Sequence, residues 1–174
     1  MKWRFAAKFL LTFAILTVLW WKLDIADRYR GAALASAQAV SPVVNGWYLY
    51  YDEPGTVDPV TFRTGDRQLP MLLQLPALSM GLMPLVSLIV ATPAIGFKRG
   101  ALTAVAGCVL YFLLHVLIVV TYPFIMDRPN VIKDTFGVFS GLVGFVVAPL
   151  ALWFVLTYPV LRPLWQLSPS SASK

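Results

Sequence analysis

Four long apolar stretches alternate with shorter polar segments along this chain. They cover residues 5–21, 69–97, 101–126 and 135–161, and the last three contain no Asp, Glu, Lys or Arg. A helix that crosses a bilayer needs about 20 predominantly apolar residues, and each stretch reaches or approaches that length. Lys8, in the first stretch, lies close enough to the N-terminus for its ammonium group to reach the headgroups. The pattern therefore predicts an all-α membrane protein with four transmembrane helices.

A segment of different character separates the first two apolar stretches. Residues 24–44 are rich in alanine, and no helix breaker occurs before Pro42, so the first helix is predicted to continue beyond the membrane. After it, the aromatic run WYLYY at 47–51 and the segment TVDPVTF at 56–62 flank a Pro-Gly turn, which predicts a β-hairpin. Two strands alone are marginal in water. The hairpin is therefore expected to pack on the bilayer surface, the alanine-rich helix or a partner.

These patterns divide the chain into four parts. We expect an N-terminal signal-anchor helix at 1–22, an extracytoplasmic helix and β-hairpin at 23–68, a three-helix transmembrane unit at 69–161 and a cytoplasmic tail at 162–174. A charged spacer follows the first apolar stretch and is longer than a signal peptidase site normally allows. The spacer favours an uncleaved anchor over a cleaved signal peptide.

Composition agrees with a membrane protein. The 174 residues are 59% hydrophobic and 13% charged, and the mean hydropathy is +0.73. These values exclude an ordinary soluble domain. The net charge of +6 would suit nucleic acid, but in a membrane protein the position of the charges decides, and no nucleic-acid partner is expected. The single cysteine permits no intrachain disulfide.

The distribution of charge predicts the orientation. With four spans, one side of the membrane carries seven basic and no acidic residues, whereas the other carries seven basic and all eight acidic residues. Lys and Arg in short loops mark the cytoplasmic side, and the tight Lys98-Arg99 loop is the strongest such signal. Both termini are therefore expected in the cytoplasm, with the lipid bilayer as the surrounding partner.

Few chemical groups lie within the spans. Cys108 and His115 are the only thiol and imidazole, and seven residues on one helix separate them by about 10 Å, too far for a nucleophilic pair. Cys108 is interpreted as a core residue. His115 either bonds to Gln74 or a carbonyl freed by proline in the second span, or it relays protons. One His, one Cys and no carboxylate in any span do not form a zinc or iron site, so we expect no catalytic, cofactor-binding or metal-binding residues.

Two further groups are candidates for interaction. The outer segment contributes Trp47, Tyr48, Tyr50 and Tyr51, and the last apolar stretch contributes Gly137, Gly141 and Gly144. The aromatic side chains suit either the bilayer surface or a protein partner. The glycines form a small-residue face that suits close packing against another helix.

The layout also resembles a known family. A basic anchor precedes the strand-rich segment; LPMLLQLPALSMGLMPLVSLIVATP and a Lys-Arg turn follow, and the last span reads FGVFSGLVGFVVAPLALWFVL. Over roughly residues 5–160 the chain is similar to the exosortase H-associated membrane proteins. The resemblance implies a bacterial inner-membrane accessory of an exosortase, a transpeptidase-like enzyme that processes C-terminal sorting signals of exported proteins. Exosortases resemble one another in a Cys, an Arg and a His from separate spans, and this chain does not share that set.

Three functions are compatible with these features. The main hypothesis is a non-catalytic accessory protein whose outer segment contacts a membrane enzyme or its exported substrate. The first alternative is a small transporter or membrane enzyme that uses His115 and Gln74. The second alternative is a structural subunit of a larger membrane complex.

Overall fold

A computed structural model describes residues 2–51, 60–71, 79–93, 95–127 and 142–166. The elements within these residues are, in chain order, helices α1 (Lys2–Lys22) and α2 (Ile25–Asn45), strands β1 (Tyr48–Tyr51), β2 (Val60–Thr64) and β3 (Arg67–Pro70), helices α3 (Leu82–Ala91) and α4 (Phe97–Met126), a π-turn (Val143–Val147) and helix α5 (Ala148–Gln166). The described fold is therefore mostly helical, with one small sheet.

Two of the described helices are long and apolar enough to cross a membrane. They are Trp3–Lys22 of α1 and the whole of α4. The second apolar stretch contributes α3, which has only 10 residues and is shorter than a span. The fourth contributes the π-turn and α5, which follow one another without a break. Within the described part of the predicted three-helix transmembrane unit, α4 is the helix with the length and composition of a span.

The first helix does not continue into the alanine-rich segment, contrary to the prediction. It ends at Lys22, and Asp24 adopts a left-handed conformation with a φ of 48° before α2 begins at Ile25. Aspartate enters this region more readily than most residues because its short polar side chain can bond locally. The break lets α2 turn aside and pack along α4, which a continuous helix would not allow.

The end of α2 lies beyond the predicted breaker. Pro42 removes one backbone donor but lies in the last turn, so few helical bonds are lost. Gly46 ends the helix in a left-handed conformation with a φ of 72°, and its N–H donates to the carbonyl of Pro42. Glycine adopts this conformation at low cost because it has no Cβ. The Asn45-Gly46 turn signal in the sequence is thus the C-terminal cap of α2.

The two predicted strands pair within a three-stranded antiparallel sheet, and the predicted Pro-Gly turn between them lies outside the described residues. β1 pairs with β2, with Leu49 opposite Phe62. β3 pairs with the other edge of β2 and places Leu69 opposite Phe62. Leu69 and Pro70 therefore belong to the sheet, although the sequence pattern assigned them to the second span. A third strand supplies the stability that two strands lack in water.

Two apolar clusters hold the described elements together. The sheet core joins one face of the sheet and α2 to the end of α4; its buried members are Leu34, Ala37, Trp47, Leu49, Val60, Phe62, Val119, Val120, Tyr122 and Met126. The helix core joins α1, α3, α4 and the start of α5; its buried members are Trp20, Leu82, Met83, Leu85, Ile89, Tyr111 and Ala148. Because α4 contributes to both cores, it connects the sheet with the other helices.

Candidate functional site

The exposed face of the sheet carries two of the predicted aromatic residues. Tyr48 and Tyr50 lie on the same face because alternate residues of a strand point to the same side, and they are 54% and 44% exposed. The guanidinium carbon of Arg63, on β2, lies 5.0 Å from the centroid of the Tyr50 ring. This distance is typical of a cation–π contact. Tyr48, Tyr50 and Arg63 form a defined surface, the aromatic patch.

The other two aromatic candidates are placed differently. Trp47 is only 7% exposed and belongs to the sheet core. Its backbone N–H donates to Oδ1 of Asn45 at 2.8 Å. The backbone of Tyr51 pairs with Val60, while its side chain lies outside the described part of the structure. Trp47 therefore packs in the core under the buried face of the sheet and does not contribute to the aromatic patch.

The sheet is fixed to α4 by apolar and polar contacts. Phe62 is fully buried, and its ring stacks on Tyr122 with the centroids 5.9 Å apart. The hydroxyl of Tyr122 donates to the carbonyl of Pro70 on β3 at 3.2 Å. Burial of a side chain such as Phe62 contributes about 1.5–3 kcal/mol. The aromatic patch thus lies on a sheet whose opposite face is anchored to a long helix.

Asn45 connects α2, β1 and α4. Its Oδ1 accepts hydrogen bonds from the hydroxyl of Ser41 at 2.9 Å and from the backbone of Trp47, and its Nδ2 donates to the carbonyl of Val120 at 2.7 Å. The side chain of Gln38 also donates to the carbonyl of Leu49 at 3.2 Å. These bonds hold the free edge of β1 against α2.

The buried histidine lies in a separate polar cluster on α4. His115 is 1% exposed, and its Nδ1 lies 2.6 Å from the hydroxyl of Tyr29 on α2. Its ring centroid is 4.4 Å from that of Tyr111 and 5.6 Å from that of Tyr29, edge-on in both cases. The structure thus gives His115 a partner on α2, whereas Gln74, the predicted partner, lies outside the described residues.

Tyr111 occupies the junction of α3, α4 and the π-turn. Its hydroxyl donates to the carbonyl of Gly144 at 2.5 Å. A Cβ on Gly81 would lie 2.8 Å from Cζ of Tyr111 and 3.0 Å from that carbonyl oxygen, so any larger residue there would force the Tyr111 ring to move. In the π-turn the N–H of Ala148 donates to the carbonyl five residues back, at Val143. A π-turn disturbs the regular helical ladder, and Tyr111 takes up one of the carbonyls within it.

The glycine face predicted for the last span is described only at one position. Gly144 packs within this chain, beside Tyr111 and the position of Gly81. Gly137 and Gly141 lie outside the described residues. The one described member of this face therefore serves contacts inside the protein.

The polar cluster has a limited chemical capacity. The hydroxyl of Tyr29 and Nδ1 of His115 share a hydrogen bond, but Nε2 of His115 has no hydrogen-bond partner among the described residues. Nε1 of Trp20 is likewise buried without one. Cys108 is half-buried and packs against the helix core. Across the described ranges, no group of three or more His, Cys, Asp or Glu residues is placed to hold a metal ion.

Sequence reasoning missed several residues that organise these two sites. Tyr29 and His115 are 86 positions apart, and no spacing in the sequence connects them. Asn45 carried only a turn signal, and Arg63 carried none. The roles of Asn45 and Arg63 depend on residues that only the fold brings next to them.

Comparison with known proteins identifies no match: no family model, curated protein or solved structure aligns with this chain.

Proposed function

We propose that this chain is a four-span bacterial inner-membrane protein with both termini in the cytoplasm, and that it is a non-catalytic accessory of a membrane enzyme. Its aromatic patch binds the partner on the extracytoplasmic side. The resemblance of the layout makes an exosortase-type sorting enzyme, or the exported substrate of one, the partner to test first.

The dimensions of α4 support this arrangement. Its 30 residues extend about 45 Å, whereas the hydrocarbon core of a bilayer is about 30 Å thick. If Phe97 lies at one boundary, the last third of the helix extends beyond the other. The four members of the sheet core on α4 lie between Val119 and Met126. The sheet thus packs on the part of α4 that would lie outside the hydrocarbon.

The packing of α3 supports alternating spans. Gly81, at the start of α3, lies beside Tyr111, whereas Ile89, near its end, lies close to Gly107. α3 therefore runs antiparallel to α4 and returns the chain to the end that carries Lys98 and Arg99. The π-turn begins the last apolar helix at the same level, because Gly144 bonds to Tyr111.

The observation that carries the proposed role is an exposed aromatic patch on an anchored support. Tyr and Arg are enriched at binding hot spots. The bilayer surface is the competing contact for Tyr48 and Tyr50. Trp47, whose indole would suit that surface best, is buried in the sheet core. This placement favours a protein partner.

The double substitution Tyr48→Ser and Tyr50→Ser tests the proposal. Because truncation of a hot-spot aromatic costs about 2 kcal/mol of binding free energy, we expect the double variant to capture less than a tenth as much partner as the wild type. The measurement is co-purification with a co-expressed exosortase-type enzyme in mild detergent, together with sorting of its exported substrate. Neither tyrosine belongs to the sheet core, so the fold should be unaffected.

Val43→Ser provides the matched control, because Val43 is 87% exposed on α2 and lies outside the patch. We expect this variant to capture the partner as the wild type does. Equal capture by the wild type and the double tyrosine variant would contradict the proposal and leave the bilayer surface as the contact of the patch.

A further inference from the structure

A cavity lies between the end of α3 and the beginning of α4. It has a volume of about 390 Å³. Its lining consists of Val90, Ile95, Phe97, Gly100, Ala101 and Ala104. These side chains offer no hydrogen-bonding group, so the cavity suits an apolar ligand and disfavours a polar one.

Two cations lie in the first turn of α4, between the lining residues Phe97 and Gly100. Phe97, in the lining, is 91% exposed, and Lys98 and Arg99 follow it directly, both exposed. The first turn of α4 contains no acidic residue. Arg30 pairs with Asp27 and Arg67 pairs with Asp127, whereas Lys98 and Arg99 form no ion pair with a carboxylate of the described residues.

We propose that this cavity binds an acyl chain of an anionic phospholipid, whose phosphate contacts Lys98 and Arg99. The inference depends on the membrane placement of α4 and is independent of the partner of the aromatic patch. At that placement the cavity opens at the end of a span, where the headgroups meet the hydrocarbon. The apolar lining then faces the acyl chains, and the two cations face the phosphate layer.

The pairing of lining and charge selects this ligand. A soluble anion would use the cations but not the apolar cavity, and a neutral lipid would use the cavity but not the cations. Basic pockets between transmembrane helices on the cytoplasmic side bind anionic headgroups, and each nearby cation contributes about 1 kcal/mol. An anionic phospholipid of the leaflet around the start of α4 is the ligand that satisfies both features.

Lipid binding to the purified full chain tests the charged part of the site. Phosphatidylglycerol and phosphatidylcholine with identical acyl chains are added in a neutral detergent, and bound lipid is measured by native mass spectrometry. We expect tighter binding of phosphatidylglycerol. Lys98→Gln and Arg99→Gln should each weaken it roughly fivefold and leave phosphatidylcholine unchanged. Arg162→Gln is the control, because Arg162 is exposed on α5 and does not line the cavity.

A second pair of variants tests the apolar part. Ala104→Phe fills the cavity and should weaken binding of both lipids at least tenfold. Val105→Phe adds the same ring at the next position, which is 62% exposed and outside the lining, and should change binding less than twofold. Ala101→Leu also narrows the cavity; since Ala101 is exposed, this variant serves if Ala104→Phe does not fold. Size-exclusion chromatography reports folding.

Several results would overturn the inference. These are equal affinity for the two lipids, the same loss with Arg99→Gln as with Arg162→Gln, and full binding by folded variants with a filled cavity. Glycerol phosphate, which has the charge without the acyl chain, should not displace the lipid; displacement would show a phosphate site only. None of these measurements involves Tyr48 or Tyr50, so failure here is distinct from failure of partner capture.

Discussion

The orientation of the His115 ring depends on one hydrogen bond. The hydroxyl of Tyr29 lies 2.6 Å from Nδ1, and it is the polar contact of this imidazole among the described residues. A buried polar group that loses its partner costs more than the bond itself contributed, because water cannot replace the partner. The pair therefore links α2 to α4 in a way that single substitutions should disturb strongly.

Tyr29→Phe removes the hydroxyl and leaves both nitrogens of His115 without a partner. We expect a loss of about 1–2 kcal/mol in the free energy of unfolding, measured by denaturation in detergent. Tyr29→Phe combined with His115→Phe should cost less than the sum of the two single variants by about 1 kcal/mol, because no buried imidazole remains. Strict additivity would show that the bond contributes nothing.

His115→Phe alone also separates the proposed role from the alternative in which His115 acts in transport or catalysis. An accessory that works through the aromatic patch should keep its sorting activity in this variant. Loss of activity in a protein that folds normally would favour the transporter or enzyme.

At the scale of the elements, α3 and the π-turn both meet α4 at Tyr111. The absence of a side chain on Gly81 leaves room for the Tyr111 ring, whose hydroxyl then reaches the carbonyl of Gly144. Both elements are therefore positioned by one aromatic residue of α4. Small residues commonly allow such close contact between helices in membranes.

Gly81→Ala should destabilise this junction. The new Cβ would overlap Tyr111, so the ring must move and weaken its bond to Gly144, at a cost of about 1–3 kcal/mol. Gly31→Ala is the matched control, because its Cβ would meet no atom within 4 Å. Gly31 lies inside α2, where alanine is preferred by about 0.5–1 kcal/mol. In detergent, the midpoint of thermal unfolding should thus fall for Gly81→Ala and rise for Gly31→Ala. An unchanged midpoint for Gly81→Ala would contradict a close contact between Gly81 and Tyr111.

At the scale of the whole molecule, α4 connects a sheet at one end with a cavity and two cations at the other. The proposed topology puts the sheet on the extracytoplasmic side of the membrane and Lys98 and Arg99 in the cytoplasm. Charge asymmetry of this kind orients membrane proteins because Lys and Arg in short loops are retained on the cytoplasmic side. The two proposed binding surfaces would then lie on opposite sides of the membrane.

Cysteine labelling tests this topology. In a Cys108→Ser background, Asp66→Cys, in the exposed turn between β2 and β3, should react with a membrane-impermeant maleimide in intact spheroplasts. Arg162→Cys, on the exposed surface of α5, should react only after the membrane is opened. The reverse pattern, or equal labelling of both sites, would contradict the proposed orientation.

Local sequence pattern determined a substantial part of this fold. Long apolar runs predicted helices at α1 and α4 because a helix is the structure that satisfies its own backbone in an apolar environment. Aromatic and β-branched residues flanking a turn predicted the pairing of β1 with β2. The break at Asp24 and the third strand were missed, since a single left-handed residue and a short polar strand have weak local signals.

Only the tertiary structure decided which residues meet and which face is covered. Trp47 and Tyr48 are neighbouring aromatic residues, yet Trp47 is buried against α2 and α4 and Tyr48 is exposed. Tyr29 and His115 pair across 86 positions, a contact that depends on how α2 turns back along α4. Sequence pattern reports the preference of each segment for helix or strand, whereas burial and long-range hydrogen bonds depend on the other segments packed against it.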